Sequence, residues 1–106
     1  MQHNRIVCMQ HNRNATPLVR SKEVREDGTL VEIVVWSLPM PIKPCTHSYK
    51  YRLYCGVDGT CRVRHDNELG KGDHRHINGT EHGYAFISIP TLTSDFLVDV
   101  SAWEHT

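Results

Sequence analysis

Twelve consecutive residues, His65-Asp66-Asn67-Glu68-Leu69-Gly70-Lys71-Gly72-Asp73-His74-Arg75-His76, hold three histidines, three carboxylates, two cations and an amide. Almost nothing in this run can build a hydrophobic core, so it is either a solvated loop or a site. Histidines titrate near neutral pH and can give or take a proton, while Lys71 and Arg75 can hold an anion beside them. The same stretch has a second reading. Asp66, Asp73, His74 and His76 include an H-x-H pair with carboxylates, a set that suits zinc or manganese, although Lys71 and Arg75 among the ligands would repel the ion.

The elements that must position these residues follow from the flanking pattern. Leu18 to Val24 is a weak strand, ended by Glu26-Asp27-Gly28, whose Asp-Gly is a turn signal. Leu30 to Leu38 reads as a strand covered on both faces, and hence central. Pro39, Pro41 and Pro44 make residues 38–45 an extended connection. Tyr49, Tyr51, Leu53 and Cys55 then alternate with Ser48, Lys50, Arg52 and Tyr54, and after Gly56 to Gly59 the next strand alternates Cys61, Val63 and His65 with Arg62, Arg64 and Asp66. Face matching predicts Leu53 opposite Val63 and Arg52 opposite Arg64, which gives one apolar face and one bearing Lys50, Arg52, Arg62 and Arg64. An anion across the two opposed arginines would relieve a repulsion of up to about 1 kcal/mol.

Asn78-Gly79 is the strongest hairpin signal in the chain, and a two-residue loop there pairs Ile77 with Thr80, His76 with Glu81, Arg75 with His82 and His74 with Gly83. Ser88 caps a helix with Pro90 in its first turn, and Ile89, Leu92, Phe96, Val100 and Trp103 follow helical spacing. The expected fold is α+β: an antiparallel meander of five to six strands with a C-terminal helix packed on one face.

Length and composition bound the rest. At 106 residues, 39% hydrophobic, the chain is one domain. We expect a disordered leader over residues 1–15, where Met1-Gln2-His3-Asn4-Arg5 recurs as Met9-Gln10-His11-Asn12-Arg13 and makes Met9 as plausible a start as Met1, and the domain over residues 16–106. Residues 1–76 carry all 12 Lys and Arg against 8 acids, and residues 77–106 carry 4 acids and no cation, so the first part is +4 and the rest −4. Such a division suits a protein that meets an anion on one side and a basic partner on the other. No apolar run has the length of a signal peptide or a membrane span, and Cys8, Cys45, Cys55 and Cys61 form no C-x-x-C pair, so free thiols and the cytoplasm are expected, with no membrane contact.

Glu32 through Trp36, His47-x-x-Lys50-Tyr51-Arg52-Leu53, Asp66-Asn67-Glu68-x-Gly70-Lys71-Gly72-Asp73-His74-Arg75-His76, Tyr84-x-Phe86 and Asp95-Phe96 together resemble the TumE family of toxins from toxin-antitoxin modules. The resemblance covers roughly residues 16 to 100. It implies a toxin partnered by a helix-turn-helix antitoxin and, by analogy with other small toxins, active on RNA; a homodimer is kept among the expected assemblies. The chain departs from the family pattern at His65, where an aromatic is usual, and at Leu69, often arginine.

Metal-free RNA cleavage needs a base for the 2′-hydroxyl, an acid for the leaving 5′-oxygen and cations for the phosphate. Two histidines at i and i+2 of a strand are about 7 Å apart, enough to bracket one phosphate. The expected roles are His76 as base, its pKa raised by Glu81 across the hairpin, and His74 as acid. Lys71 supplies charge, and so does Arg75, through a bulge, since a regular strand turns it to the other face. Asp66 and Asp73 orient those cations, His47 and Asn67 support, and no cofactor or metal is required. Two alternatives stand beside this endoribonuclease: a toxin that binds RNA or a ribosome without cutting, and a metal-dependent hydrolase using the H-x-H pair.

Overall fold

A computed structural model describes residues 14–106. The expected leader lies outside the described residues except for its last two positions, as does Cys8. Six strands, β1 (Thr16–Val24), β2 (Leu30–Ser37), β3 (Tyr49–Val57), β4 (Thr60–Glu68), β5 (Gly72–Ile77) and β6 (Thr80–Gly83), form one antiparallel sheet in chain order, followed by helix α1 (Ile89–Glu104). The α+β meander is as expected. β2 is not central, however: it lies second from the β1 edge, and β3 and β4 occupy the middle.

Helix α1 covers one face. Ser88 accepts from the Thr91 amide at its N-cap, Pro90 sits in the first turn, and Leu92, Phe96 and Val100 are buried against Val31, Val35, Tyr51, Leu53, Cys55 and Val63. Each such side chain contributes about 1.5–3 kcal/mol by leaving water. Among the described residues no helix packs on the other face, and cross-strand register builds two rows across it. One runs Arg20, Val34, Arg52, Asp66, His74, Gly83; the next runs Lys22, Glu32, Tyr54, Arg64, His76, Glu81.

The β3–β4 register differs from the expected one. Asp58 (φ 51°) and Gly59 (φ 75°) make a two-residue turn that pairs Val57 with Thr60 and Gly56 with Cys61, and then Cys55 faces Val63, so Arg62 is the extra residue of a bulge. The bulge restores the face parity that a two-residue turn alone would invert. Leu53 therefore opposes His65, and Arg52 opposes Asp66 rather than Arg64, so the expected repulsion between arginines does not exist. A side chain at position 56 would meet the Tyr54 hydroxyl and the Thr60 carbonyl at 2.2 and 2.8 Å, which leaves glycine as the residue that fits here. The second two-residue turn, Asn78 (φ 48°) and Gly79 (φ 84°), pairs β5 with β6 in the register read from sequence.

Candidate active face

The open face takes its chemistry from β4, β5 and the turn between them. Alternation puts Asp66 of β4 and His74 and His76 of β5 on this face, and the antiparallel register sets Asp66 opposite His74 and Arg64 opposite His76. The two imidazoles meet edge to face with centroids 5.2 Å apart. The His74 side chain is only 3% exposed; its Nδ1 lies 3.0 Å from the Gly72 carbonyl and its Nε2 lies 2.6 Å from Asp66 Oδ1 and 3.5 Å from Glu68 Oε1. That 2.6 Å contact is an ion-pair distance, and neither His74 Nε2 nor Asp66 Oδ1 has a hydrogen-bond partner among the described residues. Asp66 Oδ2 is paired with Arg64 Nε at 3.1 Å.

His76, 19% exposed, also has a buried Nε2 without a hydrogen-bond partner among the described residues. Glu81 sits across the hairpin from it as expected, with Oε1 3.8 Å from His76 Nε2, but the same oxygen is 2.9 Å from Lys71 Nζ. The lysine therefore holds the carboxylate, which lowers the Glu81 pKa and raises that of Lys71. The His76 pKa is lowered, not raised: partial burial disfavours the imidazolium most and Arg64 adds to it, while Asp66 and Glu81 oppose them only in part.

Four expected site residues, Arg75, Asp73, Asn67 and His47, lie on the other side. Arg75 remains regular in β5, points to the helix side and pairs with Asp99 Oδ2 at 3.1 Å, so no bulge brings it to the histidines. Asp73 orients neither Lys71 nor Arg75, which pair with Glu81 and Asp99. Its Oδ1 accepts from the Tyr51 hydroxyl at 2.6 Å and lies 2.8 Å from His47 Nε2, and its Oδ2 accepts from Cys45 Sγ at 3.5 Å. Burial and the Asp73 carboxylate push the Tyr51 hydroxyl pKa up. Asn67 joins the same network by accepting from the Tyr51 amide (3.0 Å) and donating to the Tyr49 carbonyl (2.7 Å). These bonds, with Gly70 N donating to the Lys43 carbonyl at 2.8 Å, fasten the β2–β3 connection to the β4–β5 turn that presents Lys71. His47, Asn67 and Asp73 thus hold the site from behind.

The basic residues of the open face are mostly engaged. Arg52 reaches Glu32 Oε1 at 3.5 Å and lies 4.7 Å over the Tyr54 ring, and Lys50 donates to the Asn67 carbonyl. Register adds Arg20 and Lys22, which the sequence reading passed over. Their signal was present in the alternation of β1, where Val19 is half-buried and its neighbours are exposed. Glu68, also unassigned before, stands beside His74.

Comparison with known proteins gives one family. The model of the family described as Toxin TumE matches residues 9–104. No curated protein and no solved structure matches the chain.

Proposed function

The chain belongs to the TumE toxin family, and on that premise we propose that this toxin of a toxin-antitoxin module acts on RNA, as an endoribonuclease whose reacting group is His76. The observation that carries this reading is the partly exposed His76 imidazole, its Nε2 without a hydrogen-bond partner among the described residues, set between Arg64 and the Lys71–Glu81 pair on the open sheet face. A base needs an available lone pair at the working pH, and a histidine held neutral by partial burial has one.

RNA lies on the face that carries Lys22, Arg52 and Arg64, with a phosphate at the His76 end. The partly exposed His76 ring turns on binding to bring its buried Nε2 to the substrate and take the 2′-hydroxyl proton, the 2′-oxygen attacks the adjacent phosphorus as the bond to the 5′-oxygen breaks, and Arg64 and Lys71 offset the charge that develops on the phosphate oxygens. His74 is buried against Asp66, a poor place from which to hand a proton to a leaving group. It acts as a positioning residue that fixes the orientation of its neighbour, and water protonates the 5′-oxygen. The partner is an antitoxin with a helix-turn-helix domain, as expected of the family; self-association as a homodimer is compatible with this scheme and not needed by it.

The test is incubation of purified protein with RNA in the presence of EDTA, comparing wild type with His76→Ala. Cleavage leaving 2′,3′-cyclic phosphate ends in the wild type, and none in the variant, is the expected result. Tight RNA binding with no cleavage by either protein would replace this reading with a toxin that blocks its target without cutting.

A further inference from the structure

We infer that Asp66, His74 and His76 form a binding site for a divalent transition-metal ion of the zinc class, and that an ion there occupies the nitrogen His76 uses as base. The inference deepens the functional reading above and rests on it only for the effect on cleavage. One ligand atom from each residue lies within 4.8 Å of the others, and His74 Nε2, His76 Nε2 and Asp66 Oδ1 all lack hydrogen-bond partners among the described residues although they are buried. Unsatisfied buried polar atoms are costly, and three converging on one point call for a ligand that answers all of them.

The His74 tautomer selects the kind of ligand. A backbone carbonyl only accepts, so the bond at 3.0 Å to Gly72 makes Nδ1 the donor, and a neutral ring then turns its Nε2 lone pair toward the Asp66 carboxylate 2.6 Å away. Two lone pairs at that distance repel unless a cation lies between them. A proton there would make an imidazolium–carboxylate ion pair, which answers His74 and Asp66 and leaves the buried His76 Nε2 without a partner among the described residues. A metal ion serves instead, and a carbonyl on the far nitrogen is the usual orienting partner of a metal-bound histidine.

Two imidazoles and a carboxylate favour zinc, or manganese and iron, over magnesium, which prefers oxygen ligands and keeps its water. Around a tetrahedral ion with ligands at about 2.0 Å, neighbouring ligand atoms are about 3.3 Å apart, so Asp66 and His74 separate by about 0.7 Å on binding. Charge around the site permits this. Asp66, Glu68 and Glu81 outnumber Arg64 and Lys71, and Lys71 is bound to Glu81 rather than aimed at the histidines.

A second cluster, Cys45, His47 and Asp73, has metal-compatible spacing on the opposite side, but His47 and Cys45 are already hydrogen-bonded to Asp73. It serves as the control. The experiment strips full-length protein with EDTA, removes the chelator, and titrates zinc, with magnesium alongside, into wild type, Asp66→Asn, His76→Gln and His47→Gln, reading heat of binding and the absorption bands of cobalt as a substitute ion. One equivalent of zinc in wild type and His47→Gln, with affinity at least about tenfold weaker in Asp66→Asn and His76→Gln, is expected. Circular dichroism on each variant separates lost binding from lost folding, and His76→Gln, at the partly exposed position, is the variant that must remain folded. No binding by wild type, or binding lost only in His47→Gln, overturns the site. On RNA, added zinc should suppress EDTA-resistant cleavage in step with occupancy. Cleavage that instead requires zinc keeps the metal site and overturns both the metal-free reaction and the competition for His76, whereas cleavage that persists because added zinc does not bind keeps the reaction and overturns the site.

Discussion

The sheet carries a histidine–carboxylate pair on each face, and the two have opposite fates. Under helix α1, His65 Nε2 donates to Asp99 Oδ2 at 2.8 Å, Asp99 is shared with Arg75, and rings of Tyr84 and Phe96 pack edge-on against the imidazole. On the open face, His74 and Asp66 stand 2.6 Å apart without a hydrogen bond, beside a second histidine that also lacks one. The same two residue types make a hydrogen-bonded tie under the helix and, on the face where no helix packs among the described residues, a close contact without a hydrogen bond. Burial alone does not separate them, since His65 and His74 are both buried. What separates them is the facing atoms: His65 Nε2 is hydrogen-bonded to its carboxylate, although its Nδ1 is buried without a partner among the described residues, whereas His74 Nε2 and Asp66 Oδ1 are not bonded to each other.

The contrast breaks most sharply at Phe96 and His76. Removing Phe96, a fully buried ring of the helix-covered face, should cost about 3–5 kcal/mol of stability, measured by urea unfolding, and reduce activity only in proportion to protein unfolded. His76→Ala should do the reverse, lowering cleavage by about 10²–10⁴-fold with the unfolding midpoint nearly unchanged. A large loss of stability in His76→Ala would mean that the open face is also part of the architecture.

Titration separates the faces next. Burial lowers the folded pKa of His65 below its ordinary 6.5, and the bond to Asp99 only partly offsets this. In the unfolded chain the imidazole binds its proton more readily than in the fold, so stability is intact well above pH 6.5 and falls as pH drops below it. The loss approaches about 1.4 kcal/mol per pH unit until the folded pKa is reached. Urea unfolding between pH 8 and 5 should show it, and His65→Gln should flatten the profile. A flat wild-type profile would mean that the His65 pKa does not change on folding, and stability that rises as pH falls would mean that the imidazolium is favoured in the fold.

Sequence displays the faces far better than the partners. The Asn78-Gly79 turn puts His74, His76 and Glu81 on one face before any coordinates, and period-two alternation puts Asp66 with Arg64, because side-chain direction in a strand depends only on parity; the β4–β5 register then makes the two faces one. The β3–β4 register was not legible. Asp58-Gly59 fits a longer loop as well as a two-residue turn, and no local signal marks Arg62 as the bulge that lets the shorter turn keep the faces matched. Nor can spacing say which of two cations a carboxylate will take. Lys71, on a flexible stem beyond the turn, reaches Glu81 before His76 does, and that choice, together with burial, reverses the direction of the His76 shift. Asp73 sits between Gly72 and His74 in sequence yet belongs to His47 and Tyr51, since one step along a strand crosses the sheet.

The smallest expected effect tests which way RNA lies on the open face. Along β5, the open-face neighbours of His76 are His74 and Gly72, with no cation, whereas across the strands its row continues through Arg64 and Tyr54 to Lys22. Four strand spacings place the Lys22 and His76 backbones about 19 Å apart. Cations arrayed across the sheet favour a backbone running the same way, and each phosphate neutralised contributes about 0.7 log unit of affinity per log unit of salt for a single strand. Lys22→Ala should therefore reduce the slope of RNA affinity against salt by about that amount while leaving cleavage of a short substrate intact, and Arg64→Ala should reduce both. If Lys22→Ala leaves the slope unchanged while Arg64→Ala lowers it, the RNA runs along the strands and meets only the β4–β5 end of the face.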